Sequence, residues 1–477
     1  MLSRLPIKKI LVLFALTLYF LFLGYKLMRL GMHADGVEYG SVARNLADGW
    51  GTFWKPYHDD IRHPVFHEHP PLVFWIQSIV FKLFGDGPYL ESFYGLFAGL
   101  GILGCTALFW QRVRRDFQLS SSGNWWPILL MVSLPLFTYT LQVNRLVNTY
   151  AILAILAAYA AYRSVIGNKG TVVLFSLLSG ISIYLGFIAK GPVAFFALAV
   201  PGITWLALKA KLSKAIVSTL LAVVTFTVVL MATFYFFPDS QDFWKGFWQA
   251  QVVLSIKSAR AAGDTHWYLV ERWAAEMAVP VSLAAVLMAL TRVPFRQTRF
   301  NRQALFFLLI ALASSLPFLI STRQHNRYIF HSYPFYVLSL AFVTHHIADR
   351  IESILKNIPK IRFGVAIVSV LFFVAAVSSM LYFKNHDAKR RPFYLDLYLQ
   401  GIQLPARITV SACPEDMIYS SWLFVDMQRY YKVSVTPKMG NEYLIIDKNS
   451  NCKVPHGYQK IHRQPTIKYI LYRKVRP

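Results

Sequence analysis

The chain has 477 residues, of which 56% are hydrophobic and only 15% charged, and its mean hydropathy is +0.42. A soluble domain carries about 25% charged residues, so the composition excludes an ordinary water-soluble fold. Apolar runs of about 20 residues, the length that crosses a bilayer, recur along the chain and define an all-α polytopic membrane protein.

The first of them, ILVLFALTLYFLFLGYKLM after RLPIKK, is longer than a signal-peptide core and no small-x-small cleavage site follows it, so it reads as a retained span. Basic clusters then sort the loops, because Lys and Arg concentrate on the cytoplasmic side. They stand at Arg4/Lys8/Lys9, Arg112/Arg114/Arg115, Arg163/Lys169, Lys209/Lys211/Lys214, Arg292 to Arg302, and Arg350 to Arg362. Two spans and one outward loop fit between neighbouring clusters, which gives about eleven spans: 9–31, 90–111, 125–141, 146–163, 171–188, 191–208, 215–236, 278–291, 304–321, 328–347 and 362–383. Residues 70–84, PPLVFWIQSIVFKLF, are short for a span and read as an interfacial helix on the outer surface. The outward segments are then 32–89, 142–147, 189–191, 237–277, 322–327 and 384–477. The expected division is a membrane domain over 1–383, with 32–89 as its first outward loop, and an extracytoplasmic domain over 384–477.

The first loop opens HADGVEYGSVARNLADGWG, with a helical pattern over 37–46 that puts Tyr39, Ala43 and Leu46 on one face. Asp35 stands where that helix would be N-capped, and spacing alone favours the cap. A carboxylate beside the bilayer is also a candidate general base. Later in the same loop, RHPVFHEHPPLVFW gathers three of the chain's 13 histidines around Glu68. Pro64 biases His63 toward extended backbone, so His63 and His67 are not expected to form the helical pair of a zinc protease.

Lys190-Gly191-Pro192 separates two apolar runs, where the lysine either anchors at the interface or holds a phosphate at headgroup depth. The loop TRQHNR offers Arg323, His325 and Arg327 at the same depth, and arginine pairs with phosphate bidentately. The 237–277 segment is rich in tryptophan, as an interfacial belt or a sugar-stacking surface would be.

The tail mixes β-type runs (RITVSA, KVSV, EYLIID, TIKYILYR) with a helical stretch from Met417 to Tyr431, as a small α/β domain would. Its 16 Lys and Arg against seven Asp and Glu suit either anionic lipid and glycan or plain solvent. Cys105 lies in an apolar run; Cys413 and Cys452 either pair as a disulfide or remain thiols. No nucleic-acid motif is present.

In this order, these pieces resemble the GT-C membrane glycosyltransferases, and within them the branch of lipid A aminoarabinose transferases and bacterial protein O-mannosyltransferases. The family's first-loop pattern, D-E-x-x-Y-x-x-x-x-R, stands here as DGVEYGSVAR, so Asp35, Tyr39 and Arg44 match while Gly36 replaces the glutamate. The family's E-K-P-P-L-x-Y-W stands as EHPPLVFW, with Glu68 matched and His69 in place of lysine. K-G-P matches at Lys190 to Pro192, and Arg327-Tyr328…Tyr333-Pro334 resembles a later stretch. A second aspartate usual at the outer end of the fourth span is replaced by Asn148, with Asn144 and Arg145 nearby.

The resemblance implies an inverting transfer of sugar from a polyprenyl-phosphate carrier to a lipid A, glycan or protein acceptor. It places the active site on the periplasmic face of a bacterial inner membrane. Asp35 would be the catalytic base, and Lys190, Arg327, His69 and His325 would bind the donor phosphate. Tyr39, Arg44, Arg145 and Asn148 would bind substrate or hold structure. A divalent ion near Glu68 would be compatible with this chemistry and not required by it. A transporter would carry midplane charges and repeat symmetry, which this chain lacks, and a glycan polymerase or ligase would share the carrier but not the DGVEY and KGP pattern.

Overall fold

The computed structural model describes residues 6–119, 123–253, 267–319, 324–384, 386, 401–420, 423–461 and 468–475. The chain forms two compact units: residues 1–26, 95–142 and 146–382 make the first, and 27–94, 143–145 and 383–477 the second.

The first unit is helical. Among the described residues, eight helices of the chain are long and apolar enough to cross a membrane, from Ile7–Leu27 to Pro359–Tyr382. The described residues of the eleven expected spans lie largely on helical segments, although 9–31 runs past its helix, which ends at Leu27. The less regular ones are 125–141, made of Trp125–Val132 and Pro135–Leu141, and 191–208, a 3₁₀ turn over Pro192–Ala199 that runs into Val200–Leu208. The Leu146–Ile166 helix is the central one, with 67% of its apolar window buried, whereas Leu212–Phe236 and Pro359–Tyr382 bury only 17% of theirs. The outer helices therefore turn Leu220, Val228, Leu371 and Phe373 away from the protein. An apolar outward face is stable where the surrounding solvent is lipid.

Helices inside a bilayer gain little from hydrophobic burial against one another and rely on close packing at small residues. A Cβ on Gly180 would lie 2.6 Å from the Ala222 carbonyl oxygen, and one on Gly24 would lie 2.6 Å from that of Ala376. These glycines let neighbouring helices approach backbone to backbone.

The second unit collects three of the expected outward segments, 32–89, the 143–145 turn and the tail. Packing into one body requires the three to lie on the same side of a membrane. The Leu72–Phe84 helix has 13 residues, about 20 Å at 1.5 Å per residue, too short for a hydrocarbon core of about 30 Å. In the tail, each of the four expected β runs holds a strand among its described residues. β1 (Thr409–Cys413), β2 (Ser434–Thr436), β3 (Tyr443–Asp447), β4 (Tyr458–Lys460) and β5 (Tyr469–Lys474) form one sheet in the order β2-β1-β3-β5-β4. The first three are parallel, and β5 runs antiparallel between β3 and β4. Cys413 and Cys452 are joined by a disulfide with Cα atoms 6.2 Å apart.

The core under this sheet is shared with the first loop. Leu30 and Val37 join Val410, Phe424, Met427 and Leu471 in one buried cluster. The Leu423–Tyr431 helix lies against the Ala34–Ala47 helix, which a buried ionic network fastens. Arg429, 2% exposed, donates to Glu91, to Asp86 at 2.6 Å and to the Gly87 carbonyl at 3.0 Å. Arg44, 1% exposed, donates to the carbonyls of Gln428 (2.7 Å) and Arg429 (3.2 Å) and to Asn45 Oδ1.

Candidate active site

In the second unit the site is built on the Ala34–Ala47 helix. The cap reading for Asp35 is corrected here: the N-cap is His33, whose ring accepts from the Asp35 amide at 3.3 Å. Asp35 sits one residue into the helix, so its carboxylate is turned to other partners. Arg145 Nη1 donates to Asp35 Oδ2, while Arg145 Nη2 lies 3.3 Å from His33 Nδ1. The guanidinium is thereby fixed beside the carboxylate.

What brings Arg145 there is legible in two residues. A Cβ on Gly36 would overlap the Val143 carbonyl oxygen, so glycine at the position where the family pattern has glutamate admits the 143–145 turn. Asn144, at φ 47°, then locks it, donating to the Gly36 carbonyl at 3.0 Å and accepting from Gln77 Nε2 at 2.9 Å.

One helical turn on from Asp35, Tyr39 bonds His69 Nε2 through its hydroxyl at 2.9 Å, with the rings edge to face at 5.3 Å. Residues i, i+3 and i+4 share a helix face, so Asp35, Tyr39 and a residue missing from the sequence reading, Glu38, stand together. Glu38 is buried. Burial is the largest influence on its carboxyl and pushes it up to about 7, with the charges of Glu68 and Asp35 adding to the rise and those of His58 and Arg62 opposing it. Its position three residues after Asp35 was the available signal.

The loop leading to His69 is held by His58 and Asp59. His58 Nδ1 lies 2.6 Å from Asp59 Oδ2, and Asp59 Oδ1 accepts the amides of Ile61, Arg62 and His63. Burial alone would raise the Asp59 carboxyl, but the His58 bond and charge and the Arg62 and Ile61 amides outweigh it and hold it well below the usual carboxylate range. Burial, then the charges of His58 and Arg62, lower His63 to about 4. His63 and His67 are not on a helix, as Pro64 foretold. Glu68 faces His63 Nε2 at 3.9 Å. Among the described residues, the group whose ligand atoms come within 4.8 Å of one another is His345, His346 and Asp349, in the first unit, and Glu68 is in no such group.

The remaining expected residues belong to the first unit. Lys190 ends the Lys169–Lys190 helix, and Gly191 at φ 81° returns its amide to the Phe187 carbonyl at 2.7 Å. Only glycine takes that backbone without strain, and Pro192 suits the first position of the turn that follows. The Asp239–Phe247 helix covers this turn: Trp244 stacks on Phe187 with centroids 4.3 Å apart, and Phe247 lies 3.3 Å from where a Gly191 Cβ would be. His325 caps the Asn326–Ser332 turn and lies edge-on to Tyr328 at 5.3 Å, with Arg327 beside the same ring. Arg323 lies outside the described residues. Asn148 is fully buried in the first turn of Leu146–Ile166, donating to the Thr140 carbonyl at 3.1 Å, and its Oδ1 is without a hydrogen-bond partner among the described residues. The structure thus brings Asp35, Tyr39, His69 and Arg145 together, and places Lys190, Arg327, His325 and Asn148 in the other unit.

This architecture is shared with solved membrane proteins. The chain is similar to ArnT from Cupriavidus metallidurans bound to undecaprenyl phosphate, with a TM-score of 0.66 and 13% identity over 97% of both chains. The apo state of the same protein superimposes with a TM-score of 0.61 at 13% identity over 96% of both. The oligosaccharyltransferase of Archaeoglobus fulgidus in its apo form is similar at a TM-score of 0.54 and 11% identity, over 92% of this chain and 69% of that one. No protein-family profile matches the chain, and no curated protein matches it by sequence. At these identities the likeness defines the fold.

Proposed function

We propose that this protein is an inverting glycosyltransferase. It moves a sugar from a polyprenyl-phosphate donor to a hydroxyl or phosphate acceptor (lipid A, a glycan or a protein) at the outer face of a bacterial inner membrane. The observation that carries the reading is the Asp35–Arg145 pair beside Tyr39–His69, in a fold shared with a protein seen with undecaprenyl phosphate bound.

In the proposed step the acceptor oxygen attacks the anomeric carbon on the face opposite the carrier phosphate. The bond between that carbon and the phosphate oxygen breaks, its electron pair leaves with polyprenyl phosphate, and the acceptor proton passes to Asp35. Arg145 and His33 fix the carboxylate for that transfer. Lys190 and Arg327 compensate the charge developing on the leaving phosphate, with His69 and His325 as further donors.

Purified protein incubated with polyprenyl-phosphate hexoses and a lipid A or peptide acceptor should release free polyprenyl phosphate in step with acceptor glycosylation. Turnover of no such donor, by protein that is folded, would refute the reading. Lys190→Ala should raise the donor KM about tenfold to a hundredfold, the worth of a hydrogen bond to a charged group, with acceptor KM unchanged. An unaltered donor KM would make Lys190 an interface anchor.

Glu38 supplies a test independent of activity. Its raised carboxyl favours the folded state while protonated, fully below about pH 4.5, and that contribution is lost as pH rises through about 7. Glu38→Gln should therefore match the wild type in thermal stability near pH 4. At pH 8 it should exceed it by on the order of 3 kcal/mol, and parallel profiles would contradict the assignment.

A further inference from the structure

Two basic clusters far apart in sequence meet in the first unit. Lys8 and Lys9 stand in the first turn of Ile7–Leu27, and Arg114 and Arg115 in the last turn of Leu90–Asp116. Together they line an open cavity of about 620 Å³. Gln111 and Gln118 add amide donors to the wall; among the described residues no Asp or Glu lines it, although Glu352 pairs with Lys8 Nζ at 3.9 Å. The floor is built rather than incidental. Arg114 is 4% exposed with its guanidinium 4.9 Å from the Trp110 ring, and Glu352 holds the rim by accepting the Gly123 amide at 2.6 Å and Trp125 Nε1 at 2.9 Å.

Both helices are long apolar segments, so their shared end lies at headgroup depth. A volume of this size holds a small ligand, and four cations with amide donors suit a phosphate. Val12 and Leu119 supply apolar lining beside them, which a free phosphate ion would not use and the upper acyl chain of a lipid would. We infer that this cavity binds the phosphodiester headgroup of an anionic phospholipid, at a site separate from Asp35 and Lys190. Basic pockets at the ends of membrane helices take such headgroups through charge-assisted contacts.

The test uses the whole chain, delipidated in a neutral detergent. Phosphatidylglycerol, phosphatidylcholine and sodium phosphate are each added, and retained lipid is counted by native mass spectrometry alongside the unfolding midpoint. Wild type should retain phosphatidylglycerol over phosphatidylcholine by about tenfold, and Lys9→Ala with Arg115→Ala should abolish that preference. Both residues are exposed, so the double variant should fold. Lys209→Ala with Lys211→Ala, at another basic helix end, should keep it. Three results would overturn the inference: equal retention of the two lipids, equal loss in both double variants, or stabilisation by sodium phosphate alone.

Discussion

Asp35→Asn should lower transfer by about 10²–10⁴-fold, the range contributed by a positioned general base, while the protein stays folded. Asparagine keeps the shape of aspartate and an oxygen for Arg145 Nη1, so the 143–145 turn remains docked through Asn144 and Gly36. What it cannot do is take the acceptor proton. The loss should therefore fall on kcat rather than on either KM, measured beside an unfolding curve that overlays the wild type. Retained activity in a folded Asp35→Asn protein would remove Asp35 from the mechanism.

The second large effect is on stability. Arg429→Met removes the cation between Glu91 and Asp86. Glu91 is 5% exposed, and stranding one partner of a buried pair costs about 3–5 kcal/mol. Asp86 keeps Arg44 at 3.5 Å and Lys432 at 3.7 Å, so most of the cost should come from Glu91. Adding Glu91→Gln should then recover at least half of the loss, because a neutral amide no longer needs the guanidinium. Denaturant unfolding of the single and double variants separates these outcomes, and additive losses would contradict the pairing.

Much of the fold was legible because it obeys local rules. Apolar runs between basic clusters became helices, and alternating runs in the tail became strands. Lys190-Gly191-Pro192 separated two helical runs as expected, and the structure adds that Gly191 does so at positive φ. β4 escaped because three edge residues, Tyr458 to Lys460, carry no pattern. The cap assignment for Asp35 failed by two residues, since His33 can accept an amide as an aspartate would. The site's support was least legible where it is long-range. Arg44 and the Gln428 carbonyl are 384 positions apart, and nothing local to DGVEYGSVAR announces that partner. Glu38 reads in sequence as an ordinary polar residue; only the packing around it makes it a buried carboxyl.

The most direct test is mass spectrometry of lipid-linked sugars, lipid A and surface glycans from a strain lacking this protein. Such a strain should accumulate one polyprenyl-phosphate sugar and lose the corresponding glycosyl mass from one acceptor. Both changes should reverse with wild-type protein and persist with Asp35→Asn. Unchanged lipid-linked sugar and acceptor pools in the deletion strain would contradict the account.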